Sequence, residues 1–167
     1  MLKVSDLTSI LQPIKELQGK GHILEGNGYD RIMAILKSLR GTTFPCVILE
    51  ARAGGQVDMI GGGPIDSCTQ SLWVMVQLGR DEDEVAAFEQ AWELAKKILA
   101  RFIQCDPISS LDTRDKMEVL RSWDYNRISY MQRYGGPTCR GYEVVLTFRD
   151  YVSLTYTPDG SSDGGAA

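Results

Sequence analysis

Histidine is almost missing from this chain: His22 stands alone among 167 residues. Nucleophilic catalysis by a Ser/His/Asp or Cys/His arrangement needs an imidazole base oriented by a carboxylate, so His22 is its sole candidate, and no GxSxG turn accompanies it. The residue sits in the glycine-rich stretch "GKGHILEGNG" close to Glu25, where a surface loop histidine is expected. Cysteine is sparse too. Cys46, Cys68, Cys105 and Cys139 are scattered with no CxxC pair, so neither a disulfide framework nor a zinc site is implied. All four are expected to be reduced and mostly buried. Cys68 and Cys139 each follow a GGP at a strand start, which raises the question of whether they meet in space. The simpler expectation is two small half-buried residues at equivalent hairpin positions.

Long apolar runs and basic runs are also lacking. No stretch approaches the roughly 20 apolar residues that span a bilayer. The N-terminal "MLKVSDLTSILQPIKELQ" is amphipathic and carries acids, where a signal peptide would be continuously apolar. A soluble protein made in the cytosol, with no membrane partner, is expected. With 18 Lys+Arg against 22 Asp+Glu the net charge is -4, which repels a nucleic-acid duplex and disfavours a dedicated DNA or RNA binder.

Glycine is abundant, in two related stretches: "DMIGGGPIDSC" at residues 58–68 and "RYGGPTCRGY" at residues 133–142. A phosphate loop follows a strand and places Lys and Ser/Thr at the start of a helix, whose amides and dipole hold the anion. Neither stretch carries the lysine and both run into strand-like sequence, so hairpin turns are the expectation, with glycine supplying positive φ and proline fixing the turn. Asp58 and Asp66 flank the first loop, but such residues are usual in exposed turns and receive no catalytic role. No residue is assigned to catalysis, to a cofactor or to a metal.

"YNRISYMQRYGGPTCRGY" interleaves aromatic and basic residues in the manner of single-stranded nucleic-acid platforms. Strand alternation separates them, with Tyr125, Arg127, Met131 and Arg133 on one face and Ile128, Tyr130 and Tyr134 on the other. The rings then divide between core and surface, and the arginines are expected to pair across the sheet with residues such as Glu143.

The remaining pattern defines the elements. Leu7, Ile10, Leu11, Ile14 and Leu17 predict a helix, kinked or restarted at Pro13. A second helix is expected at residues 29–39, a strand at residues 44–53 and a longer strand at residues 68–78. The latter carries Leu72, Val74, Val76 and Leu78 on one face and Trp73 and Met75 on the other, which a helix or another subunit must cover. Residues 81–104 open with four acids and predict a long amphipathic helix with a stripe of Val85, Phe88, Trp92, Ala95, Leu99 and Phe102. A linker with a short helix, capped by Asp112 with Asp115 three residues on, should follow. Strands at residues 125–134 and 140–155 close the fold. The expected class is α+β: a mainly antiparallel sheet from two β-hairpins, with a long amphipathic helix and shorter helices packed on it. Residues 1–157 are expected to form one domain and residues 158–167 a flexible tail.

A domain of this kind, with glycine-rich hairpin loops free of catalytic residues, is expected to work through its surfaces. Contacts with other subunits are expected at Val57, Asp58, Met59 and Ile60 of the first loop, at Trp73 and Met75, and at Arg133 and Tyr134 beside the second. In the order of its elements, from the N-terminal helices through "FPCVILEARA...SLWVMVQL" and "DEDEVAAFEQAWELAKKILARF" to "GYEVVLTFRDYVSL", the chain resembles the tail terminator, or tail-completion, proteins of long-tailed bacteriophages. The resemblance covers most of residues 1–156 and is one of pattern and size. It implies a homo-oligomeric ring, a hexamer, that caps the tail tube by binding its last ring of tube protein and joins it to the head-tail connector protein. It further implies a virion protein of the tail or neck, assembled in the host cytoplasm, with DNA only as passing cargo. An adaptor or peptide-binding module is the alternative expectation, and a small enzyme using Asp58, Asp66 or the cysteines is a third.

Overall fold

Leu7, Ile10 and Leu11 share one side of helix α1 (Val4–Leu11), whose first turn is closed by the Lys3 amide donating to Asp6 at 3.0 Å. Pro13 lacks an N–H and its ring collides with the preceding turn, so the helix stops. A single 3₁₀ turn at Lys15–Leu17 follows, and Ile14 and Leu17 reach the same core as α1. The computed structural model describes residues 3–39, 41–50, 54–60, 63–79, 83–104 and 123–151. The expected helix around Asp112 and Asp115, Cys105, the strand end at residues 152–155 and the tail at residues 158–167 lie outside the described residues.

Among the described residues there are six strands, β1 (Ile23–Gly26), β2 (Cys46–Glu50), β3 (Gly54–Ile60), β4 (Gly63–Gln77), β5 (Trp123–Tyr134) and β6 (Cys139–Tyr151). They form one sheet in the order β1-β2-β4-β6-β5, with β3 also paired to β4. Among the described residues β1 and β2 run parallel and the other pairings are antiparallel. The α+β class therefore holds, and so do the two expected antiparallel strand pairs, β2 with β4 and β5 with β6, although the hairpin that joins directly onto β4 is made by the unexpected β3. Two strands fall where loops are expected. β1 is four residues ending in glycine, too short to show a period, and β3, "GGQVDMI", opens with two glycines. Both form because an exposed edge stands beside them: β1 pairs with β2, and β3 lies against residues 63–69 of β4, on the side of that strand where β2 pairs with residues 72–75.

The central strands are buried on both faces. On one face Val47, Leu49, Leu72, Val74, Val144, Leu146 and Phe148 pack with α1 and with helix α3 (Glu84–Gln104). On the other, Cys46, Ile48, Trp73, Met75 and Cys139 pack beneath Ile32 and Leu36 of helix α2 (Gly28–Ser38). α3 is capped by the Asp83 carboxylate, which accepts from the Val85 amide at 3.0 Å. Its buried stripe is rotated from the expected one. Ala87, Ala91, Leu94, Ala95 and Ile98 join Phe88 and Phe102 against the sheet, while Val85 is 60% exposed. The small alanines let the helix axis approach the strands, and the bulkier Trp92 and Leu99 sit at the margin, partly buried. Among the described residues no helix is long and apolar enough to cross a membrane.

Candidate assembly surfaces

β3 and the first half of β4 form a hairpin beyond the reach of β1, which pairs only with β2. Cross-strand register places Val57 opposite Asp66 and Met59 opposite Pro64, so Val57 and Met59 share a face. They are 47% and 75% exposed, outside the core clusters of the described residues. Asp58 points to the opposite face, where its carboxylate accepts from the Gln56 side-chain amide at 3.1 Å and 3.2 Å. Ile60 pairs through its backbone with Gly63, the residue that begins β4 at φ +122°.

The second hairpin carries the echo of that sequence and is anchored. Gly135 donates its amide to the Cys139 carbonyl at 3.2 Å. A Cβ built on Gly135 would overlap the Cys139 sulfur and stand 2.9 Å from Leu36 Cδ1, so only glycine lets the turn pass beneath α2. Gly136 takes φ +83°, and its carbonyl accepts from Arg140 Nη1 at 2.7 Å. Arg140 also pairs with Glu84 of α3 at 3.2 Å and lies over the Tyr134 ring at 5.0 Å. Tyr134 meets Phe88 edge-on at 5.4 Å while remaining 52% exposed.

Arg133 pairs with Glu143 as the alternation predicts. Its Nε donates to Glu143 Oε2 at 2.6 Å, and Ser71 Oγ donates to Oε1 at 2.8 Å. The guanidinium lies 5.1 Å over the Trp73 ring, whose Nε1 donates to Glu50 at 3.4 Å. These contacts turn Arg133 inward as a clamp. Trp73 and Met75, expected at an interface, are a correction: at 2% and 0% exposure they lie under α2 and belong to the core. Of the eight residues singled out, Val57, Met59 and Tyr134 are exposed. Alternation alone did not single out Tyr130 and Met131, which are also exposed on β5.

The chemistry-bearing residues do not converge. Asp58 and Asp66 project from opposite faces of the first hairpin. Cys68 lies opposite Phe148 on the α3 face, whereas Cys139 lies opposite Gln77 and packs on the α2 face, so the two do not meet. Cys139 instead neighbours Cys46, with β4 between their strands. Burial pushes the Cys46 thiol up to about 12, with the nearby Cys139 adding to the effect, and burial pushes Cys139 up to about 11. Such thiols stay protonated and are poor nucleophiles. His22 is half-buried and not a plain surface residue: Nδ1 lies 2.8 Å from the Pro45 carbonyl, which can only accept, so Nδ1 carries the proton. Its own carbonyl accepts from Val47 at 2.7 Å, which ties the start of β1 to β2.

A cleft of about 650 Å³ between α1 and the start of β1 is lined by Thr8, Gln12, Leu17, Gln18, Lys20 and Ile23, with glycines between. Among the described residues its walls hold no carboxylate, thiol or imidazole that could form an acid–base pair. Among the described residues no three His, Cys, Asp or Glu side chains are grouped to hold a metal ion. No protein-family model matches the chain, and no curated protein matches it.

Proposed function

We propose that this chain is a non-enzymatic structural protein of the phage tail-terminator kind, forming a ring that caps the tail tube and joins it to the head connector. The observation that carries the reading is the β3–β4 hairpin, which extends past the core and holds Val57 and Met59 exposed, outside the core clusters of the described residues. Exposed apolar side chains on a projecting hairpin fit a surface that is covered on assembly. The order of the elements, which resembles the tail terminators, supplies the partner class: copies of itself, tail-tube protein and connector, with DNA as passing cargo. The virion is then its place of work.

Light scattering on the purified protein tests this, together with electron microscopy in the presence of tail tubes. The expected result is a ring with about six times the 18.5 kDa chain mass, seated on tube ends. Monomers at every concentration, with no association to tubes, would refute it. A second reading is a monomeric adaptor that takes an extended peptide on a sheet edge, favoured by the terminal position of β5 in the sheet. Saturable one-to-one binding of peptides to a monomer would select that reading.

A further inference from the structure

We infer that the outer edges of β3 and β5 are the two halves of one copy-to-copy joint, in which β3 of one copy adds to β5 of the next and continues the sheet. The inference rests on the ring reading above and specifies the surface that closes the ring.

Four observations converge on it. β5 ends the sheet order and β3 pairs only with β4, so among the described residues neither has a strand on its outer side. β3 is seven residues long, and beyond the irregularity after Trp123 the regular run of β5 also has seven, at residues 128–134. Neither run contains the proline or lysine that commonly shields an edge strand. Among the described residues, five of the eight large exposed apolar residues lie on these two runs: Val57, Met59, Tyr130, Met131 and Tyr134.

Strand direction and side-chain parity then agree. β3 is antiparallel to β4, β4 to β6, and β6 to β5, so β5 runs opposite to β3. In a ring whose copies keep one sense about the axis, β5 therefore meets the next β3 as an antiparallel pair. The register chain through β4 and β6 puts Val57, Met59, Tyr130 and Tyr134 on one face, with Asp58, Met131 and Arg133 on the other. The joint sets aliphatic beside aromatic side chains on the first face, a favourable cross-strand combination.

The level of the edges also fits a closed assembly. β3 stands level with residues 63–69 of β4, and residues 128–134 stand level with residues 70–76. That offset is roughly 23 Å along the strands, against about 19 Å across four strand spacings, and tilts the strands by about 50° from the ring axis. End-to-end alignment would set Val57 opposite Met131, on the wrong face; sliding the joint by one residue matches the faces, sets Val57 opposite Tyr130 and gives a tilt of about 46°, close to the roughly 35–45° of closed sheets.

Two variants test the joint on the full chain: Val57→Lys with Met59→Lys, and Tyr130→Lys with Gln132→Lys. Each alone is expected to weaken self-association at least about tenfold by light scattering. Each retains one intact edge, so an equimolar mixture is expected to give a two-copy species that grows no further. Because Tyr130 stacks on Trp92 at 4.4 Å, thermal melts check the second variant, and hydrogen exchange on the unaltered protein reads the same joint without substitution. Amides of residues 54–60 and 128–134 should gain protection as concentration drives assembly. Variants that assemble normally, a mixture that stays monomeric, or unchanged exchange in both runs would each overturn the joint while leaving the ring reading standing. A wild-type monomer at all concentrations would overturn both. Rings with the protected edges that ignore tail tubes would keep the joint and remove the tail-terminator reading.

Discussion

Two hairpins of this chain begin from nearly the same sequence and reach opposite ends. "GGP" closes both, yet the turn at Gly135 is threaded under α2 and clamped by Arg140, whereas the hairpin ending at Ile60 and Gly63 projects with Met59 in solvent. Turn chemistry is therefore only permissive. What the flanking side chains touch decides whether a hairpin tip is held or exposed: Cys139 and Arg140 fasten one tip, and Val57 and Met59 stand exposed near the other.

The sharpest way to break this comparison is to truncate a methionine on each side of it. Met75→Ala, beneath α2, is expected to lower stability by about 2–5 kcal/mol, read as a shifted urea midpoint at unchanged slope. A loss under about 1 kcal/mol would show that α2 packs loosely on that face. Next come the glycines. Gly135→Ala meets the Cys139 sulfur and Leu36 and should cost about 1–3 kcal/mol, with a repacked α2 visible in near-UV dichroism. Gly63→Ala meets no atom within 4 Å, and should lose only the roughly 1 kcal/mol that its positive φ imposes on a side chain.

A smaller effect is expected at the arginine clamp. Glu143→Gln keeps a hydrogen-bond acceptor for Ser71 or Arg133 but removes the charge, and should cost about 1–2 kcal/mol because Arg133 remains partly in water. Equal stability to wild type would mark the pair as dispensable. The anchored tip should also respond to alkali. Burial raises Cys46 from 9.0 to about 12 and Cys139 from 9.0 to about 11, so the folded chain holds these protons more tightly than the unfolded chain. Their contribution is complete below pH 9 and is lost as pH rises through 11 to 12. The urea midpoint should fall over that window, and more shallowly in Cys46→Ala. The smallest change is expected at the free tip: Met59→Ser should alter monomer stability by no more than about 0.5 kcal/mol while impairing assembly. A large loss of monomer stability would show that Met59 packs within the chain.

Much of the fold was legible because burial leaves a period. Alternation marked β4 and β6 as strands, and three-and-four spacing marked α1, α2 and α3. The arginine partner was legible as well, since Arg133 and Glu143 are diagonal neighbours on one face of adjacent strands, Glu143 facing Met131 and Arg133 facing Gly141. Other features left no such trace. β1 is too short for a period and exists because β2 offers it an edge. The stripe of α3 was misplaced by one position, since alanines at 87, 91 and 95 bury as well as large residues do but stand out less. Trp73 and Met75 looked like an interface because a strand with two apolar faces requires two covers, and which element supplies the second cover depends on contacts distant in sequence.

The sequence by itself determined which motifs are missing and where the periodic elements lie, since one histidine, scattered cysteines and glycine-rich stretches without a lysine can be read directly, and periodicity is a local property of the chain. Tertiary structure alone decided which tip is held and which is free, that Cys139 neighbours Cys46 and not Cys68, and that β3 and β5 lie at outer edges of the sheet. The physical reason is that strand order and layer packing join residues far apart in the chain, where no local spacing records the partner.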